Sequence, residues 1–227
     1  MMCPWRQLRW SSIFRRSLAP SVNGTLRNKT GQKRSDVEHE IRGGQSATTL
    51  SEDISLMNSK IKIREESHDD LNAINVVTVA AFSTLTVSHH TEQFIVEALR
   101  AAKALTVSLV AELDGRVIGH IAFSPVAISD GAQDWYGLGP VSVLPDLQRQ
   151  GIGTALIEAG LSRLKAIDAR GCCLVGHPEY YRKFGFRNTP ELVLDGVPPG
   201  VFFVLPFAEP MPHGTVTFHE GFAARAS

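Results

Sequence analysis

The stretch Gly139-Pro140-Val141-Ser142-Val143-Leu144-Pro145-Asp146-Leu147-Gln148-Arg149-Gln150-Gly151-Ile152-Gly153-Thr154-Ala155-Leu156 decides how this 227-residue chain folds. Val141 and Val143 give its opening the β-branched character of an inner strand, and Pro145-Asp146 ends that strand. Gly151 and Gly153 then remove two side chains where successive backbone N–H groups can converge on an anion. A helix begins at the same place and adds the positive end of its dipole. The sequence therefore predicts a strand, a tight turn and a helix opening on an anion-sized pocket, for which a pyrophosphate is the natural guest.

The helix can be drawn at about 100° per residue. Ile152, Leu156, Ile157, Gly160, Leu161, Leu164 and Ile167 fall on one half of the wheel, with Thr154, Glu158, Ser162 and Lys165 on the other, so one face packs on a sheet. Gly171 follows the basic stretch ending at Arg170, and Cys172-Cys173-Leu174-Val175 opens a new strand, as when a helix crosses over to a parallel neighbour. Other glycine motifs fit less well. A dinucleotide fingerprint wants a small residue where Leu156 stands, and a nucleoside-triphosphate loop wants a Gly-Lys-Ser/Thr run that is absent. A glycine turn that binds nothing stays open on spacing alone.

Gln148-Arg149-Gln150-Gly151-Ile152-Gly153 resembles the Gln/Arg-x-x-Gly-x-Gly/Ala signature of the GNAT N-acetyltransferase superfamily. Downstream, Tyr180-Tyr181-Arg182-Lys183-Phe184-Gly185-Phe186 resembles its closing motif, in which an aromatic residue precedes a Gly-Phe pair at a fixed spacing. The resemblance covers about residues 61 to 227 and is nearest the YhbS-like branch, to which Gly176–Tyr181 and Gly214–His219 are also similar. It implies an acetyl-CoA-dependent N-acetyltransferase that moves an acetyl group from the thioester to a primary amine of a small molecule or protein. It also implies a strand, Leu138 to Val143, that splays from its neighbour, Cys172 to Gly176. The pantetheine arm would run along Val141, Ser142 and Val143, and the pyrophosphate would sit among Gln148, Arg149, Gln150, Gly151, Ile152, Gly153 and Thr154. Tyr181, four positions before Gly185, takes the place of the family's general acid. A phenol with an ordinary pKa near ~10 keeps its proton for delivery to a thiolate. Tyr180 is read as a packing residue. A catalytically silent coenzyme A-binding regulatory module is the alternative function.

The general base is not fixed by spacing. Glu92, Glu97, His120 and His177 are of the right type, and ordered water would also serve. Strand alternation sets His120 beside Ile118 and Ala122, where a half-buried histidine with satisfied hydrogen bonds is the plainer reading. Cys172 and Cys173 are adjacent on a strand and point to opposite faces, with no Cys-x-x-Cys, so packing is preferred to zinc binding or nucleophilic catalysis. Three cysteines suit a reducing, cytoplasmic setting.

The formal charge of zero conceals a split. Residues 1–35 carry eight Arg and Lys and no acid, leaving −8 on the remainder. Residues 1–56 read as a basic extension, disordered or mis-assigned upstream of Met57, while a targeting segment or a loose nucleic-acid contact are lesser readings. No run is long and apolar enough for a membrane span. The domain, 57–227, then opens with the alternating Lys60–Arg64. Ser67-His68-Asp69-Asp70 resembles a capping box before a helix to about Phe82, and a second helix spans Glu92 to Lys103. Asp114-Gly115 joins Val107–Leu113 to Val117–Phe123 as a hairpin. Leu192–Leu194 and Val201–Leu205 read as another, Phe186 as the start of a strand, and Thr215–Phe218 as the last strand. The fold class expected is α/β in mixed arrangement: a sheet antiparallel early and parallel at its splayed central strands, with helices on both faces. The partners expected are an amine acceptor and acetyl-CoA, with a homodimer allowed and nucleic acid disfavoured.

Overall fold

A computed structural model describes residues 60–83 and 91–225. The extension over 1–56 and its alternative roles lie outside them. The strands are β1 (Lys62–Glu65), β2 (Val107–Leu113), β3 (Arg116–Ile128), β4 (Trp135–Val143), β5 (Gly171–Val175), β6 (Leu192–Leu194), β7 (Phe202–Pro206) and β8 (Gly214–Phe218). The helices are α1 (Leu71–Ser83), α2 (Glu92–Ala101), α3 (Ile152–Ala166) and the single turn α4 (Pro178–Tyr181). Strand order is β1-β2-β3-β4-β5-β7, with β8 on the far end of β3 and β6 beside β8. The pairs are antiparallel except β4–β5 and β6–β8. This is the mixed sheet that the sequence predicts.

The Asp-Gly hairpin forms as a two-residue turn between Leu113 and Arg116, with Asp114 and Gly115 both at positive φ, the backbone that matches strand twist. At the start of α1, the Asp70 carboxylate accepts from the Ser67 backbone N–H and hydroxyl and takes a bidentate pair from Arg64 at 2.6 and 2.9 Å. The α2 helix stops two residues before Lys103, which takes φ 54° and turns the chain towards β2.

Alternation along β4 separates the two faces. Val141 and Val143 belong with the core under α3, whereas Ser142 between them donates to the Thr78 hydroxyl of α1 at 3.3 Å. The α3 stripe is buried as drawn from Ile152 to Leu164. Gly160 lets the helix sit directly on β3, since a Cβ there would fall 2.5 Å from Phe123 Cζ. Ile167 departs from the expectation. It follows the last helical residue at φ −104° and is 49% exposed, because the chain has already left the apolar stripe.

Two other expectations are corrected. Leu192–Leu194 and Val201–Leu205 are strands but not a hairpin: β7 runs antiparallel along β5, while β6 lies parallel to β8. Both runs are apolar around turn-forming residues, which looks like a hairpin in sequence, but the free edge of β5 and the edge of β8 each claim one of them. Phe186 starts no strand either. It is a buried core residue, and only Arg187 makes an isolated bridge, to Val204.

Candidate active site

The decisive geometry lies between β4 and β5. Their parallel pairing holds at Trp135 with Gly171, Tyr136 with Cys172 and Gly137 with Cys173, and goes no further. Beyond Gly137, β4 stays bonded to β3 as far as Val143, and β5 stays bonded to β7 as far as Val175, so the two strands part and their facing edges are left unpaired with each other. Between the pairs Ile121–Val141 and Phe123–Leu138 a single β3 residue, Ala122, faces Gly139 and Pro140, so β4 itself bulges where the strands begin to separate.

At the open end the glycine turn closes the gap. Arg149 takes φ 62° and Gly151 φ 91°, so the chain coils on itself before Ile152 begins α3. The first N–H groups of a helix have no intrahelical acceptors. Those of Ile152, Gly153 and Thr154 therefore form a donor cluster with the dipole behind it. A cleft of about 450 Å³ lies there, lined by Val141, Val143, Gln148, Arg149, Gly151, Gly153, Thr154, Tyr180 and Lys183.

Seven of the ten residues expected around the cofactor thus meet in one cleft. The side chains of the other three are occupied elsewhere. Ser142 points to Thr78, Ile152 is buried in the core, and the Gln150 amide donates to the Asp146 carbonyl at 3.1 Å.

Two residues of the cleft escaped the sequence reading. The Lys183 ammonium donates to Thr154 Oγ1 at 2.9 Å and lies 4.5 Å from the centre of the Tyr180 ring. Tyr180 is a cleft residue as well as a packing one: its hydroxyl would lie 2.8 Å from a Cβ on Gly153. The signal was present in spacing, since residues three apart share a helical face, but a lysine beside a tyrosine is too common a pair to stand out.

Tyr181 is buried. Its ring stands edge-on to Tyr180 and Phe186, with centroids 5.1 and 6.1 Å away, and lies against the backbone of Gly176 at the end of β5. Pro178 starts the turn that carries it, and Gly185 at φ 89° ends the next one. Burial pushes the Tyr181 phenol well above its ordinary value, with smaller contributions from Tyr180 and Cys172, so it holds its proton at neutral pH.

The candidate bases are scattered. Glu97 is exposed and accepts from Asn75 at 2.8 Å, Glu92 lies in the first turn of α2, and His177 caps α4. His120 is fully rather than half-buried, and it faces a polar cluster on the α1/α2 side, away from the cleft. There the Ser108 hydroxyl gives its single proton to Glu66 at 2.6 Å, so the His120 Nε2–H must donate to Ser108 at 2.8 Å. This tautomer leaves Nδ1 as an acceptor with no partner among the described residues. Burial lowers the His120 pKa, keeping the ring neutral. Burial also opposes ionisation of Glu66, but the nearby His120 ring and the hydrogen bonds from Arg100 and Ser108 outweigh it and bring the carboxyl down to about 2. Cys172 and Cys173 are free, buried in different core clusters on opposite faces, and pushed up by burial, which leaves both thiols inert.

Residues 105–188 match the family model of the acetyltransferase (GNAT) domain. The chain is 50% identical, with a TM-score of 0.65, to a crystal structure of a GNAT family acetyltransferase from Brucella melitensis in complex with acetyl-CoA, covering 71% of this chain and 97% of that one. This chain belongs to the GNAT acetyltransferase family. A second GNAT structure, YhbS from Escherichia coli in complex with CoA, is 30% identical with a TM-score of 0.66, covering 72% of this chain and 92% of the other. Over 97 residues the chain is 36% identical to the uncharacterized N-acetyltransferase YhbS of Escherichia coli strain K12, a match that covers 42% of this chain and 58% of that relative. The chain thus spans under two thirds of the curated GNAT relative in that match. Among the described residues no helix is long and apolar enough to cross a membrane.

Proposed function

We propose that the chain transfers the acetyl group of acetyl-CoA to a primary amine of a small molecule or protein. The observation that carries this reading is the parting of β4 from β5 after Gly137 and Cys173, directly beside a helix-start donor cluster. The unpaired backbone between them supports an extended, amide-bearing arm, and the turn with Arg149 and Lys183 supports the phosphates. The complexes with acetyl-CoA and CoA of the two similar structures support the same assignment.

In this reading the neutral amine attacks the thioester carbonyl carbon, and the C–S bond breaks as the amide forms. Tyr181 gives its proton to the departing thiolate, the nitrogen loses one to solvent, and the phenolate takes one back from solvent, so the acid is restored. The fixed geometry lowers the entropic part of the barrier, and the buried phenol contributes the acid.

The test is titration calorimetry with CoA, followed by thiol release from acetyl-CoA over a broad amine panel. Wild type is expected to bind CoA and release thiol with at least one acceptor. Tyr181→Phe should bind equally well and turn over about 100-fold more slowly, the lower end of acid–base contributions. Absence of CoA binding by the folded protein refutes the assignment, and unchanged turnover in Tyr181→Phe refutes the acid.

A further inference from the structure

We infer that Phe222, braced by Phe218, limits the acyl group that this site accepts, admitting acetyl and turning away four-carbon acyl chains. The inference rests on the acetyl-CoA reading above. It comes from the two glycines of β4 at the point where the strands part. Leu138, between them, belongs to the core under α3, so Gly137 and Gly139 face the other way, towards α2 and β8. Rings fill the space that their side chains would take. A Cβ on Gly137 would lie 2.7 Å from Phe218 Cδ1, and one on Gly139 would lie 3.5 Å from Phe222 Cε1.

The wall these rings form is anchored on β3, on its own turn and on α2. Phe218 is in strand register with Val126 of β3. Phe222 belongs to the short turn Glu220–Ala223, whose start is tied by His219 Nδ1 accepting from the Gly221 N–H at 3.0 Å. Gly221 in turn sits against Leu99 of α2, which is fully buried: a Cβ on Gly221 would fall 3.1 Å from Leu99 Cδ2. The two rings meet edge-on with centroids 5.0 Å apart, and both are buried.

A thioester entering past Val143 and Val141 reaches Gly139 with its acyl end foremost, towards the place where β4 and β5 rejoin at Gly137 and Cys173. There the Phe218–Phe222 wall closes the face opposite the cleft. A close-packed wall anchored on a strand and a helix admits extra methylenes only by displacing its rings, which is costly. A two-carbon acyl group needs no such displacement.

The test uses the full chain and calorimetric titration with CoA, acetyl-CoA and butyryl-CoA. Wild type should bind butyryl-CoA at least about tenfold more weakly than acetyl-CoA, the range in which hydrophobic pockets discriminate chain length. In Phe222→Ala the two thioesters should bind within about threefold of each other, with CoA affinity unchanged. Phe222→Leu, which keeps an apolar filler should the alanine variant fail to fold, should cut the discrimination by at least about threefold. Wild type that binds CoA but takes butyryl-CoA as readily as acetyl-CoA overturns the inference and leaves the proposed function standing. Full discrimination surviving in the folded variants also overturns it. Failure to bind CoA at all overturns both.

Discussion

Gly153→Ala separates a ligand-binding turn from a merely structural one. Gly153 is the second residue of α3, where alanine would gain about 1 kcal/mol of helix propensity over glycine. Against that gain, the new methyl carbon would stand 2.8 Å from the Tyr180 hydroxyl, although Val143 Cγ2, at 3.8 Å, is at ordinary contact. The Tyr180 ring is packed edge-on to Tyr181 and Phe184, so it yields by tenths of an ångström at a cost similar to the propensity gain. Net stability should therefore change by less than about 1 kcal/mol. The ligand has no such compensation. The methyl occupies the approach to the helix-start N–H groups, and losing one charge-assisted hydrogen bond costs about 1.5–3 kcal/mol, or roughly 10- to 100-fold in CoA affinity. Urea unfolding and calorimetric titration measure the two quantities on the same sample. CoA affinity within about threefold of wild type, in a variant of unchanged stability, would refute the claim that this turn grips the diphosphate.

Gly160→Ala, the same substitution two turns further along α3, should instead destabilise the fold by about 1–3 kcal/mol in urea, because its Cβ meets the fully buried Phe123 ring. Lys183→Ala should weaken CoA binding by about three- to tenfold, and titration at low and high salt should show a shallower salt dependence than wild type. Glu66 makes a pH prediction. Its carboxyl sits at about 2 in the fold against 4.5 ordinarily, so its contribution is present above about pH 4.5 and is lost as the pH falls towards 2. Glu66→Gln should therefore be less stable than wild type at neutral pH, by about 1 kcal/mol once solvent screening of this half-buried carboxylate is allowed for, with the gap closing over that window in urea titrations. Asp70, held low chiefly by Arg64, should add to wild type's acid sensitivity in the same direction.

The elements that could be read in the sequence are those whose partners are local. The Asp114-Gly115 hairpin, the α3 stripe as far as Leu164 and the Pro178–Gly185 turns are each decided by residues within a few positions of one another, and each is found where expected. The crossover from β4 through α3 to a parallel β5 was also legible, but the pairings of the later strands were not. Nothing in Leu192–Leu194 or Val201–Leu205 says which edge each will join, because an apolar strand fits any exposed edge of suitable register. The site divides in the same way. The glycine turn advertises its donor cluster through Gly151 and Gly153, but the dead end of the splay is built by Phe218 and Phe222 from the far end of the chain. His120 is the clearest limit: alternation gives its face, whereas its tautomer depends on Glu66 and Ser108, brought in from β2 and the segment after β1.

The sheet also has a mechanical consequence. Only three residue pairs join its β4 half to its β5 half, and any opening of the wedge would pivot at the last of them, Gly137 with Cys173. In the proposed acetyl-CoA reading, a guest lying in the wedge would act as a substitute strand that restores continuity across the sheet. Saturation at 100 times the dissociation constant would add about 2.7 kcal/mol to the fold, coupling its rigidity to the cell's supply of thioester.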